Sequence, residues 1–94
     1  LIAVGKAETD FLQKTGTAKY QLKDYKGTAD ALTKVLAKGL KDKDVYKILG
    51  LSQAQLGDCV ESAKNLSSAV ALGISDQETF IQLGTCQFKN KEYT

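Results

Sequence analysis

The sequence predicts an all-α fold built from antiparallel helix pairs that repeat with a period of about 34 residues. Three stretches, GKAETDFLQKTG, GLKDKDVYKILG and GISDQETFIQLG, each begin and end with glycine, and their starts at Gly5, Gly39 and Gly73 are evenly spaced. Apolar residues recur at helical spacing within each copy, and the copies align without a gap. A fixed period of this length indicates one helical unit used several times.

The first helix of each unit is clearest in the middle copy, KDVYKILGLSQAQL. Tyr46 and Leu49 lie on one apolar stripe, which is the spacing of a half-buried helix. Asp42 and Asp44 stand at its start, where carboxylates pair with unpaired N–H groups and with the positive end of the helix dipole. The acids therefore mark where this helix begins.

A glycine recurs inside these first helices, at Gly16, Gly50 and Gly84. Glycine within a helix costs about 1 kcal/mol relative to alanine. The same cost at three equivalent positions predicts that another helix backbone approaches closely there. Thr28 and Ser62, small residues of the second helices, are the expected partners.

The second helix follows a tight turn at Gly57 and Asp58, and in the middle copy it reads VESAKNLSSAVAL. Leu66 and Ala69 are predicted to face inward with their helical neighbours. Each second helix is expected to close at a glycine in the left-handed conformation. These closing glycines are Gly5, Gly39 and Gly73.

Helix pairs of this length with Leu-Gly in the first helix resemble the tetratricopeptide repeat. The residues that carry the resemblance include Tyr46, Leu49, Gly50, Gly57, Asp58, Ser62, Leu66, Ala69, Leu72, Phe80, Leu83, Gly84, Glu92 and Tyr93, with Leu12, Gly16, Ala18, Asp24, Tyr25, Thr28 and Leu32 in the first copy. The resemblance implies antiparallel helix pairs stacked into a right-handed α-solenoid. The proline that usually precedes each tetratricopeptide repeat is absent. The related RNA-reading pentatricopeptide repeat favours a slightly longer period, so the gap-free period of about 34 residues argues against it.

The repeat frame is out of phase with the chain, so we expect a segment of a longer array. Residues 1–8 read as the tail of a preceding repeat, 9–42 and 43–76 as full repeats, and 77–94 as the start of another. The faces meant for neighbours would then be exposed, around Leu1, Ile2, Val4, Phe80 and Phe88. We therefore expect marginal stability of the segment alone, with self-association or unfolding.

The composition excludes most chemistry. The chain has no histidine, which removes imidazole metal sites and histidine-activated nucleophiles, so neither metal, cofactor nor enzymatic activity is expected. Its net charge is only +2, from scattered lysines without arginine, which argues against nucleic-acid binding. No apolar run reaches the length of a membrane span.

Two cysteines, Cys59 and Cys86, stand far apart in the sequence, which is neither a CxxC motif nor a dense disulfide framework. We interpret them as buried, inert thiols of a protein in a reducing intracellular compartment. A disulfide between them is the alternative.

The resemblance implies that a concave groove lined by the first helices binds a peptide or helix. Helical geometry predicts the following groove residues: Asp10, Gln13, Lys14, Thr17, Gln21, Asp44, Lys47, Ile48, Leu51, Gln55, Glu78, Ile81, Gln82, Thr85 and Lys89. Where chaperone adaptors of the family hold a carboxylate with cations, this chain has Gln13, Thr17, Ile48, Glu78 and Gln82, which excludes such a clamp. Apolar groove residues instead favour a partner with hydrophobic anchors, unless Ile48 and Ile81 belong to the core.

The sequence therefore predicts a protein–protein interaction scaffold without chemistry of its own. The alternative is a regulatory, targeting or assembly arm of a larger enzyme or secretion-system protein whose activity lies outside this segment. Acidic residues could in principle act as catalysts, but here they fall at helix starts and turns, where capping explains them.

Overall fold

A computed structural model describes residues 2–92 of the protein, and the side chains of residues 7–91. It contains five consecutive helices, and no strand occurs within residues 2–92. The helices are α1 (Ile2–Gln21), α2 (Tyr25–Ala37), α3 (Lys43–Gln55), α4 (Cys59–Ala71) and α5 (Gln77–Glu92). The predicted all-α fold is confirmed. No helix in the described part is both long and apolar enough to cross a lipid bilayer.

Helices α2 to α5 each begin at an aspartate. Each carboxylate accepts a hydrogen bond from a backbone N–H of the first turn, at 3.0 Å for Asp24, 2.7 Å for Asp42, 3.4 Å for Asp58 and 2.8 Å for Asp76. An aspartate cap of this kind stabilises a helix by about 1 kcal/mol. Because Asp24 is equivalent to Asp58, and Asp42 to Asp76, the sequence period is also a period of the local structure.

Two of the three predicted closing glycines end a helix. Gly39 follows α2 with φ +97°, and Gly73 follows α4 with φ +116°, so both occupy the left-handed region that glycine tolerates best. The prediction for Gly5 is wrong, because α1 runs unbroken from Ile2 through this position. Asp42 and Asp76 start a new helix shortly after their closing glycine, whereas the equivalent residue after Gly5 is a glutamate, which caps poorly.

Each helix packs on the next along the chain, and α3 also contacts α1 and α5. The central cluster consists of Leu32 and Val35 of α2 with Val45 and Leu49 of α3, all at most 2% exposed. Burying a side chain of this size stabilises the fold by about 1.5–3 kcal/mol. Leu66 extends the apolar core into α4. The boundaries 1–8, 9–42, 43–76 and 77–94 stay a prediction, since packing is continuous along the chain.

Gly16 and Gly50 let the paired helices come into close contact, as the sequence predicted. A Cβ atom at Gly16 would lie 2.7 Å from Cδ2 of Leu32, and one at Gly50 would lie 2.6 Å from Cδ2 of Leu66. Both distances are far shorter than the roughly 3.5–4.0 Å of ordinary carbon contacts.

The predicted hydroxyl partners complete these contacts. The Thr28 hydroxyl lies 3.2 Å from the carbonyl oxygen of Gly16, and the Ser62 hydroxyl donates to that of Gly50 at 2.7 Å. At Gly84, by contrast, no described atom lies within 4 Å of a built Cβ. We call α1, α3 and α5 the first-type helices. Among the described residues, no other helix packs against the glycine of the third of them, α5.

A disulfide joins Cys59, the first residue of α4, to Cys86 in the middle of α5. The interpretation of both residues as free thiols is therefore wrong. Their spacing in the sequence gave no sign of the bond, because it depends on α5 packing across the start of α4, which places the two Cα atoms 4.8 Å apart. Asn90 supports the same junction by donating from Nδ2 to the Cys59 carbonyl at 3.1 Å.

Candidate binding site

Residues of α1, α3 and α5 line one open hollow of about 280 Å³, which we call the central hollow. Its lining residues are Thr17, Tyr20 and Gln21 of α1, Asp44, Lys47, Ile48 and Leu51 of α3, and Glu78 of α5. All of these except Tyr20 belong to the face that helical spacing predicted as groove-lining. The three first-type helices thus meet at one surface.

The floor of the central hollow is apolar. Leu51 is 3% exposed, and Ile48 is half-buried where it packs against the central cluster. Only part of the Ile48 side chain therefore belongs to the core, because another part lines the hollow. The same alternative is wrong for Ile81, which is 54% exposed.

Tyr20 is the lining residue that the sequence reasoning missed. Its half-buried ring packs edge-on against Tyr25, with centroids 5.9 Å apart. Burial, followed by the negative charge of Glu78, raises the pKa of the Tyr20 hydroxyl, so the phenol stays neutral and can donate a hydrogen bond. Its position one turn after Thr17, on the same helix face, was the available signal.

One ion pair neutralises the cation of the central hollow. Lys47 Nζ lies 2.6 Å from Asp76 Oδ2, so α3 is tied to the residue that caps α5. The hydrogen bond from Lys47, together with hydrogen bonds from Thr79, lowers the pKa of Asp76 to about 2. The hydrogen bond to Asp76 also raises the pKa of Lys47, with Glu78 adding to the effect. Lys47 is therefore charged but already engaged.

A second hollow runs along α1 and adjoins the first. It has a volume of about 400 Å³ and is lined by Asp10, Gln13, Lys14, Thr17, Ala18 and Gln21. Thr17 and Gln21 line both hollows, so the two are neighbours on the same surface. Lys14 Nζ and Asp10 Oδ2 pair at 3.2 Å one turn apart, which makes this end close to neutral.

The other predicted groove residues do not line either hollow. Gln55, Thr85 and Lys89 are exposed, and Gln82 is half-buried. A separate open hollow of about 610 Å³ lies at the C-terminal end of α5 and is lined by Gln87, Phe88, Asn90 and Lys91. The exposure that the sequence predicted for Phe80 and Phe88 is found, at 47% and 64%, whereas the side chains of Leu1, Ile2 and Val4 lie outside the described residues.

Within the described residues, no three His, Cys, Asp or Glu side chains come together in a way that could hold a metal ion. No protein-family model matches the chain, and no curated protein matches it significantly. The fold and the site therefore define the class as an all-α protein whose alternate helices share an open, apolar-floored surface.

Proposed function

We propose that the chain is a protein-interaction module of the tetratricopeptide-repeat type, which binds a peptide or helix of another protein. In this proposal the helix pairs stack as a right-handed solenoid. The first-type helices α1, α3 and α5 then form the concave binding groove, with the central hollow at its middle.

The observation that carries the proposal is the central hollow itself, which three alternate helices line together. Alternate helices come side by side when helix pairs stack in one direction, as in helical repeat proteins. The recurrence of the contacts supports the same stacking. The Gly16–Leu32 contact returns one repeat later as Gly50–Leu66, with an equivalent hydroxyl–carbonyl hydrogen bond beside each.

The chemistry of the hollow favours binding over catalysis. Its floor is apolar, its lysine is engaged by Asp76, and its tyrosine is neutral. Asp44 and Glu78 are exposed to solvent, whereas general acids and bases are usually tuned by burial. A hollow with apolar anchor sites and a polar rim suits a peptide with hydrophobic side chains.

Selection from a displayed random-peptide library on the immobilised chain tests the proposal, with dissociation constants then measured by fluorescence polarisation. The site variant carries Thr17→Arg and Gln21→Arg, which place two long side chains where both hollows meet. The control carries Thr33→Arg and Ser67→Arg, exposed positions on the second helices α2 and α4 with the same change of charge.

Selected peptides should lose at least about tenfold in affinity for the site variant, as expected when bulky groups fill an interface pocket, and keep it for the control. Equal binding to both variants would show that the concave face is not the binding surface. Failure to select any peptide that binds the folded chain would also count against the proposal.

A further inference from the structure

The acidic side chains of the central hollow are left without a cation of their own. Asp44 stands in the first turn of α3, and Glu78 stands in the first turn of α5. Both residues are exposed and line the hollow, and among the described residues neither forms an ion pair. Lys47, the one cation in the lining, is engaged by Asp76. The rim of the hollow therefore carries two carboxylates that form no ion pair with the described residues of its lining.

Glu78 acts electrostatically on the interior of the hollow. Its negative charge contributes to the raised pKa values of both Tyr20 and Lys47. The two affected side chains come from α1 and α3, so the field of Glu78 extends across the hollow to the opposite walls. A positive group entering the hollow would meet this field, while an incoming carboxylate would be repelled.

The remaining lining suits the stem of a long cationic side chain. Ile48 and Leu51 supply an apolar floor, and Tyr20 supplies a half-buried aromatic ring. Lysine and arginine lay their methylene groups along such surfaces and keep the charged head at the rim. A neighbouring aliphatic residue of the same peptide can cover the part of Ile48 that the core leaves uncovered.

We propose that the central hollow recognises a peptide segment in which a lysine or arginine stands next to a large aliphatic residue. The cation pairs with Asp44 and Glu78, and the aliphatic side chain lies over Ile48 and Leu51. This inference rests on the proposed function and adds to it the sign of the charge that the bound peptide carries. Charge complementarity excludes acidic peptides and C-terminal carboxylates as ligands of this hollow.

Three synthetic peptides test the inference, all acetylated, amidated and of equal length. In the first, the central residues alternate leucine and lysine; in the second, glutamate replaces each lysine; in the third, serine replaces each leucine. Each is titrated into the ¹⁵N-labelled chain of 94 residues, and amide shifts are followed by NMR. We expect the first peptide to shift the amides of Thr17, Ile48 and Glu78, and the other two to bind more weakly.

Paired variants identify the contribution of the rim carboxylates. The double substitution Asp44→Asn and Glu78→Gln removes them with little change of shape. Its control, Asp30→Asn and Glu61→Gln, removes two exposed carboxylates from the second helices α2 and α4. Thermal melts establish that both variants are folded. The leucine–lysine peptide should lose about fivefold in affinity for the first variant only, the size expected for two exposed ion pairs.

The outcomes separate this inference from the proposed function. The charge assignment would be overturned if library-selected peptides that occupy the hollow carried acidic residues, or if the lysine and glutamate peptides bound equally. Either result would leave the proposed binding groove in place. Equal binding by the two charge variants would do the same. Near 1 M salt, where the Debye length is about 3 Å, the affinity for the leucine–lysine peptide should fall by about the same fivefold if the carboxylates act as argued. Shifts confined to α2 and α4 would overturn both proposals.

Discussion

Replacing the internal glycines with alanine should change stability in opposite directions at equivalent positions of the repeat. A Cβ atom at Gly50 would lie 2.6 Å from Cδ2 and 2.7 Å from Cγ of Leu66, and 3.2 Å from the Leu66 backbone nitrogen. Since carbon atoms normally keep about 3.5–4.0 Å apart, α3 and α4 would have to separate by about 1 Å. The backbone atom in this set leaves no rotamer change that relieves the whole clash.

Two costs follow at Gly50, and one gain opposes them. Overpacking of this kind costs about 1–3 kcal/mol. Separation would also weaken the 2.7 Å hydrogen bond from the Ser62 hydroxyl to the Gly50 carbonyl, which contributes about 1 kcal/mol. Alanine recovers about 1 kcal/mol of helix propensity. The net effect of Gly50→Ala is therefore a destabilisation of about 1–3 kcal/mol.

Gly84→Ala provides the matched control on α5. No described atom lies within 4 Å of the added Cβ, so only the propensity gain remains, and the chain should become more stable by up to about 1 kcal/mol. Gly16→Ala should be destabilising but milder than Gly50→Ala, because its closest contacts are side-chain atoms of Leu32 that can rotate away.

Urea unfolding followed by far-ultraviolet circular dichroism measures all three changes, and thermal melts give the same order. A difference of about 1 kcal/mol corresponds to about 4–8 °C in a domain of this size. The close-contact argument would be refuted if Gly50→Ala and Gly84→Ala shifted the urea midpoint of unfolding in the same direction by similar amounts. A neutral Gly50→Ala would show that the helix interface adapts to an added methyl group.

Three further predictions concern charge, the disulfide and the exposed end. Hydrogen bonds from Lys47 and Thr79 lower the pKa of Asp76 from 3.8 to about 2, so the stability that the Asp76 carboxylate contributes is complete above about pH 4 and is lost as the pH falls through about 2. Linkage gives about 2 kcal/mol, which we reduce to about 1 kcal/mol or less because the Asp76 side chain is 39% exposed. Urea unfolding at descending pH should show this loss, and Asp76→Asn, which keeps a helix cap, should remove it. Reduction of Cys59–Cys86 should cost about 3.5 kcal/mol, the chain-entropy value for a loop of this length, measured as a fall in the melting temperature with reductant. Phe88→Glu should lower self-association in sedimentation velocity, since Phe88 is 64% exposed at the end of α5.

The controls for these predictions differ. The acid-dependent loss would be misassigned if Asp76→Asn retained it in full. The double variant Cys59→Ser and Cys86→Ser should melt at the temperature of the reduced chain, and reductant should not change its melting temperature. If reduction left the melting temperature of the parent chain unchanged, the expected stabilisation by the disulfide would be contradicted. A sharp, concentration-independent melt above about 65 °C would argue against both marginal stability and self-association of this chain.

Helix positions could be predicted because their causes are local. The caps at Asp42 and Asp58 and the left-handed glycines at Gly39 and Gly73 depend on residues only a few positions away. The repeat period extended this local information to the close contact at Gly50, since a repeated glycine inside a helix costs stability and so indicates a close neighbour; the same reasoning did not hold at Gly84. The wrong prediction at Gly5 has a local cause as well, because the position equivalent to the capping residues Asp42 and Asp76 is Glu8, and glutamate is not a favoured cap.

The candidate site could be predicted only in part. Helical spacing placed Asp44, Ile48 and Leu51 on one face of α3, and the structure brings them into the central hollow. The same spacing also selected Gln55 and Lys89, which line neither hollow. Which members of a face share a hollow depends on the angle between successive helices, and that angle is absent from the pattern of any single helix.

The amino-acid sequence by itself determined where most of the helices begin and end, which faces are apolar, and that the helical unit recurs with a constant period. These properties follow from short-range hydrogen bonding and from the helical repeat of the backbone. Only the tertiary structure decided that Cys59 meets Cys86, that Lys47 pairs with Asp76, and that Tyr20 joins the hollow. Each of these contacts joins different parts of the fold, and so depends on how the helices pack in three dimensions.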